Sequence, residues 1–129
     1  MTETQAKKIL VIDDEAHIRR VLEVKLKNRG YQVITAENGQ QGLEFIYSQK
    51  PDAVVTDINM PLLEGDQLCR LIDKLKKKRP FLTVVITARI SPEERVWVQE
   101  MRDTQLMEKP FSPSRLVKCI DAYFERQSS

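Results

Sequence analysis

The stretch ILVIDDE, Ile9 to Glu15, decides how this chain is read. Ile9, Leu10, Val11 and Ile12 form an apolar, mostly β-branched run suited to a buried strand. Asp13, Asp14 and Glu15 then bring three like charges together. Two carboxylates about 4 Å apart repel by roughly 4 kcal/mol at an effective dielectric near 20. A core strand that ends this way calls for something to relieve the repulsion.

Working outward, similar runs recur at 31–36 (YQVITA), 52–57 (DAVVTD) and 82–87 (LTVVIT), with a weaker one at 105–108 (QLME). The segments between them carry helical spacing. Ile18, Leu22 and Leu26 stack along one helix, and Leu43 and Ile46 mark a shorter one. Leu68, Leu71, Ile72 and Leu75 form a third stripe, and Leu116, Ile120 and Tyr123 form the last. Gly30 reads as a helix stop and Asn38 as a helix cap. SPEE at 91–94 predicts a capping box with Pro92 at the first helical position, and SP at 112–113 opens the final helix in the same way. Strands alternating with helices predict a parallel sheet covered on both faces, an α/β doubly wound fold. The reading divides the chain into a short tail over 1–7, one folded domain over 8–126, and a tail or linker start over 127–129.

Composition narrows the classes. Of 129 residues, 41% are apolar and 31% charged, a balance suited to a water-soluble domain with a real core. No apolar run approaches the roughly 20 residues that span a bilayer, and MTETQAKK lacks the apolar core of a secretory signal. The expected location is the cytoplasm. A formal charge of +2 gives no reason to expect direct contact with nucleic acid. Cys69 and Cys119 sit in no metal-binding or redox spacing and read as reduced thiols on helices. The basic run KLKKKR (Lys74 to Arg79) falls where cations complement a helix end, or where a polyanion or partner binds.

In open α/β sheets, ligands bind beyond the carboxyl ends of the strands. The residues at those ends are Asp13 and Asp14 after strand 1, Asp57 after strand 3, Thr87 after strand 4 and Lys109 after strand 5. Three packed carboxylates raise one another's pKa unless a cation sits among them. An all-oxygen donor set suits a hard divalent ion such as Mg²⁺. A metal, an ammonium and a hydroxyl around one carboxylate describe a site that stabilises a phosphoryl group in transfer, with the carboxylate itself as nucleophile.

These residues resemble the receiver domain of two-component response regulators. The resemblance is carried by ILVIDDE, YQVITAENGQQGLE, PDAVVTDINMPLLEG, VVITA and EKPF, with Met60, Pro61 and Gly65 at the family spacing after Asp57. It implies a flavodoxin-like (βα)5 fold with strand order 2-1-3-4-5. It implies that Asp57 accepts a phosphoryl group from a sensor histidine kinase or a histidine phosphotransfer protein. Asp14, Asp57 and the Asn59 carbonyl would bind Mg²⁺, with Asp13 holding a metal-bound water. Thr87 and Lys109 would hold phosphoryl oxygens, helped by amides around Asn59 and Ala88, and the Lys109–Pro110 bond would be cis. Such a domain catalyses only its own phosphorylation and dephosphorylation, so it is no conventional enzyme. It switches an as yet unknown downstream target, or a dimer, through the face of helix 4, strand 5 and helix 5.

Two positions depart from the family pattern. Leu106 stands where an aromatic switch residue is common, and Arg102-Asp103 replaces a Gly-Ala pair. Trp97, left toward solvent if Val98 and Met101 face inward, is either incidental or a partner contact. His17 reads as a bystander, and Glu15 as the opening of the first helix. A haloacid-dehalogenase-like phosphatase would need D-x-D spacing after strand 1, and a flavin carrier a Ser/Thr/Gly-rich loop; neither is present. Three outputs stay open: a free-standing chemotaxis-type regulator, a relay intermediate, and the receiver of a longer regulator with a DNA-binding or enzymatic output domain.

Overall fold

The computed structural model describes residues 7–57, 74, 81–87, 92–101, 103–109 and 112–128, apart from the side chains of 93, 94, 97, 98, 127 and 128. Within them the chain forms β1 (Lys8–Ile12), α1 (Ala16–Asn28), β2 (Gln32–Ala36), α2 (Gly39–Gln49), β3 (Ala53–Asp57), β4 (Leu82–Thr87), α3 (Pro92–Gln99), β5 (Thr104–Glu108) and α4 (Pro113–Ser128). The strands make one sheet in the order β2-β1-β3-β4-β5, and every pairing is parallel. The leucine stripe expected as a helix over 68–75 and the basic run after it lie outside the described residues, except Lys74, which is helical.

Why the central strands read as unbroken apolar runs is visible in the packing. Ile9 and Val11 of β1, with Ala53, Val55, Val84 and Ile86, face Leu22 and Leu26 of α1 and Leu116, Ile120 and Tyr123 of α4. Leu10, Ile12 and Val54 point to the opposite side, against Ile46 and Leu43 of α2. Successive residues of one strand therefore feed two cores, so neither face tolerates polar alternation. Each fully buried aliphatic side chain contributes roughly 1.5–3 kcal/mol.

Helix ends follow their residues. Gly30 takes φ +99°, donates to the Lys27 carbonyl at 2.9 Å, and lets the Tyr31 amide reach the Leu26 carbonyl at 3.2 Å. That paired closure is a Schellman motif, and the positive φ favours glycine. At α2, Asn38 Oδ1 accepts from the Gln41 amide at 2.8 Å, while Gln41 Oε1 accepts from the Glu37 amide at 2.7 Å. Gly42 lies on the buried side of α2, where a Cβ would overlap the Ile12 side chain. That close approach seats α2 directly over the end of β1. Pro92 and Pro113 open α3 and α4.

Candidate functional site at the carboxyl edge of the sheet

Parallel strands in register bring their last residues to one edge. Ile12 pairs with Thr56, and Asp57 with Ile86, so Asp13 and Asp57 emerge side by side. Thr87 pairs with Glu108, which places Lys109 one residue past the end of β5. The Lys109 amide donates to the Thr87 carbonyl at 2.7 Å, extending the ladder and fixing where the lysine leaves the sheet. Asp13 is tied in the same way, its amide donating to the Ala36 carbonyl at 3.1 Å.

The acids meet here at different depths. Asp13 is 1% exposed, Asp57 4% and Thr87 1%, whereas Asp14 and Glu15 are exposed. One carboxylate oxygen from each of Asp13, Asp14, Glu15 and Asp57 lies within 4.8 Å of the other three. Lys109 Nζ reaches Asp57 Oδ2 at 2.5 Å and Glu15 Oε1 at 3.4 Å. Arg19 approaches from α1, but it donates to the Asp13 backbone carbonyl at 2.7 Å and lies 3.7 Å from Glu37.

Charge and burial set the protonation behaviour. Burial pushes the Asp13 carboxyl above its ordinary value, and the charges of Asp57 and Glu15 push the same way. The Glu15 amide, donating to Asp13 Oδ1 at 2.9 Å, and Lys109 oppose that rise. For Lys109, burial alone would lower the ammonium. Its bond to Asp57 and the surrounding negative charge outweigh burial, so its pKa is raised. The donor set fits a hard divalent cation, being all oxygen, clustered, and carrying more negative charge than one ammonium balances.

Glu15 behaves differently from its reading as a helix opener. It occupies the N-cap position of α1 with extended backbone (φ −90°, ψ 115°) but makes no side-chain cap bond, and the first turn contains no acid. Its carboxylate points to Lys109 instead, with His17 Nε2 4.0 Å from its other oxygen. Nothing local marks that choice, because the partner is 94 residues away. Arg19 was equally invisible, since its acceptor is a backbone carbonyl. Leu106 is half-buried on β5 opposite Val85, and Leu106 and Met101 both pack against Val85. Asn59, Ala88, Pro110 and the Trp97 side chain lie outside the described residues.

Comparison with known proteins agrees with this arrangement. The family model for the response regulator receiver domain matches residues 9–121. The chain is 39% identical over 124 residues to the probable transcriptional regulator ycf27 of Porphyra purpurea, covering 96% of this chain and 50% of that protein. It is 36% identical over 120 residues to the alkaline phosphatase synthesis transcriptional regulatory protein PhoP of Bacillus subtilis, covering 93% and 49%. The chain thus spans about half the length of the curated relatives it matches. Among solved structures, the CheY-like receiver domain protein from Methanospirillum hungatei superposes with a TM-score of 0.85 at 28% identity, covering 96% and 98% of the two chains. Vibrio cholerae CheY4 superposes with a TM-score of 0.82 at 26% identity, covering 92% and 98%.

Proposed function

The chain belongs to the response regulator receiver domain family of two-component signalling, and from that premise we propose that Asp57 is its phosphoacceptor. The observation that carries the reading is the 2.5 Å contact between Lys109 Nζ and Asp57 Oδ2 inside a group of four carboxylates. A carboxylate oxygen of Asp57 attacks phosphorus as the P–N bond of the donor's phosphohistidine breaks, and the imidazole leaves. Lys109 moves from Asp57 to a phosphoryl oxygen and neutralises part of its charge, and the Thr87 hydroxyl donates to another. Asp14, Asp57 and the Asn59 carbonyl would hold Mg²⁺, with Asp13 contributing through water. Bound Mg²⁺ supplies charge neutralisation between the carboxylates and the phosphoryl oxygens. The family resemblance implies that amides around Asn59 and Ala88 would complete the phosphoryl cradle.

The donor is a sensor histidine kinase or a histidine phosphotransfer protein in the cytoplasm. Among the described residues no helix is long and apolar enough to cross a membrane. Phosphorylation alters partner binding or dimerisation through the face made by α3, β5 and α4. Leu106, packed against Val85, stands there in place of an aromatic switch, and Trp97 is a candidate partner contact. Because the chain spans about half of relatives named as transcriptional regulators, we favour, of the three outputs, the receiver of a longer regulator.

The test is labelling by acetyl phosphate, or by a phosphorylated kinase, in the presence of Mg²⁺. Asp57→Asn abolishes the label, and an unimpaired Asp57→Asn sinks the assignment. Lys109→Ala retains part of the label and loses the coupled change in partner binding.

A further inference from the structure

Asp14 is exposed, and among the described residues its side chain makes no hydrogen bond or ion pair. Its position therefore rests on the backbone that carries it, the peptide joining it to Asp13. Three groups around that peptide are held. The Asp13 amide donates to the Ala36 carbonyl at 3.1 Å, and Asp13 Oδ1 accepts from the Glu15 amide at 2.9 Å. The third is the Asp13 carbonyl, which accepts from Arg19 Nη1 at 2.7 Å. Arg19 lies at the start of α1, where side chains lean back toward the helix N-terminus, and its side chain is 16% exposed. Its other terminal nitrogen lies 3.7 Å from Glu37, just past the end of β2. A planar fork engaged on both sides has little freedom to turn. The helix gives no reason of its own for a cation here, because the macrodipole disfavours positive charge in the first turn.

We infer that Arg19 is a positioning residue for the cation pocket: by holding the Asp13 carbonyl it fixes the peptide plane between Asp13 and Asp14, and with it the point from which Asp14 reaches a divalent ion. The inference rests on the cation-pocket reading above and adds a residue outside the carboxylate group. Arg19 acts through the backbone and is not itself a ligand. Two simpler roles predict different outcomes. As a bare charge beside the pocket, Arg19 repels a divalent cation, and its loss tightens binding. As a contact that only stabilises the fold, its loss lowers the melting temperature and leaves the affinity of the folded protein unchanged.

The experiment is equilibrium Mg²⁺ binding to the chain by calorimetry, without any phosphodonor. Arg19→Met weakens Mg²⁺ binding about tenfold, the lower end of what losing a group that orients a metal ligand costs. Arg19→Lys keeps the charge but loses the fork, and weakens binding about threefold. Equal or tighter binding by folded Arg19→Met overturns the inference. Melting in metal-free buffer verifies that each variant is folded. Where Arg19→Met does not melt cooperatively, Arg19→Lys decides on the same terms, and parental affinity in it overturns the inference. Asp14→Ala separates the two levels. If it binds Mg²⁺ as well as the parent, the pocket reading itself falls; if it loses binding while both Arg19 variants keep parental affinity, only the role of Arg19 falls.

Discussion

Two charge clusters sit at opposite edges of the same sheet and are built on opposite terms. At the amino edge, where α1 returns and β2 begins, Asp121 of α4 accepts from Tyr31 Oη through one oxygen. Its other oxygen accepts from Arg29 Nε at 2.8 Å. One carboxylate meets one cation and one hydroxyl directly, with the charge of Glu125 nearby. Burial pushes the Tyr31 phenol up, its bond to Asp121 adds to that, and the same carboxylate raises Arg29. At the carboxyl edge four carboxylates face one ammonium. The first cluster is a finished cross-link between chain segments about ninety residues apart. The second is left unbalanced, and an unbalanced cluster is what a ligand can complete.

The contrast breaks if Mg²⁺ stabilises neither cluster. Binding only the native state, Mg²⁺ at a hundredfold excess over its Kd adds about 2.7 kcal/mol of stability. Denaturant unfolding will register that gain in the parent and in Asp121→Ala, but not in Asp14→Ala. Asp121→Ala itself costs about 1 kcal/mol, because it strands a partly buried phenol, while the exposed Arg29 guanidinium is taken up by water. If that substitution is neutral, the amino-edge cluster is decoration and the comparison loses one side.

Asp13→Asn works in the other direction. It removes a buried charge while leaving an oxygen to accept the Glu15 amide, so metal-free stability at neutral pH rises by about 1 kcal/mol. The pH dependence carries the same sign. Asp13 titrates higher in the folded state than in the unfolded one, so its contribution is fully present below the unfolded value near 3.8. It is lost as pH rises through the raised folded value. Metal-free Asp13→Asn therefore lacks that decline, and an unaltered stability–pH curve would show that Asp13 is not strained.

Much of this was legible in the sequence because it depends on local pattern. The β-branched runs mark each strand to within a residue, most clearly β1, β3 and β4, which are buried on both faces. Gly30, Asn38, Pro92 and Pro113 punctuate by backbone geometry, which needs no knowledge of the rest of the fold. Convergence of Asp13, Asp57, Thr87 and Lys109 followed from parallel topology alone. What stayed hidden depends on where distant side chains meet. Glu15 reads as a favourable charge at a helix start until Lys109 is brought beside it. The pairing of Tyr31 and Arg29 with Asp121 has no local mark, because α4 supplies the carboxylate from about ninety residues away. The overlap awaiting any side chain at Gly42 depends on how closely α2 lies over Ile12, a distance that no spacing rule encodes.

The amide of Asp13 remains in the sheet ladder through Ala36, while Asp14 and Glu15 project into water just beyond it. The site accordingly has a stationary floor and an adjustable lip. At the lip, side chains reorient on the nanosecond scale without disturbing packed neighbours. A cation at this edge would therefore come and go through motion of the lip alone, with the core left closed.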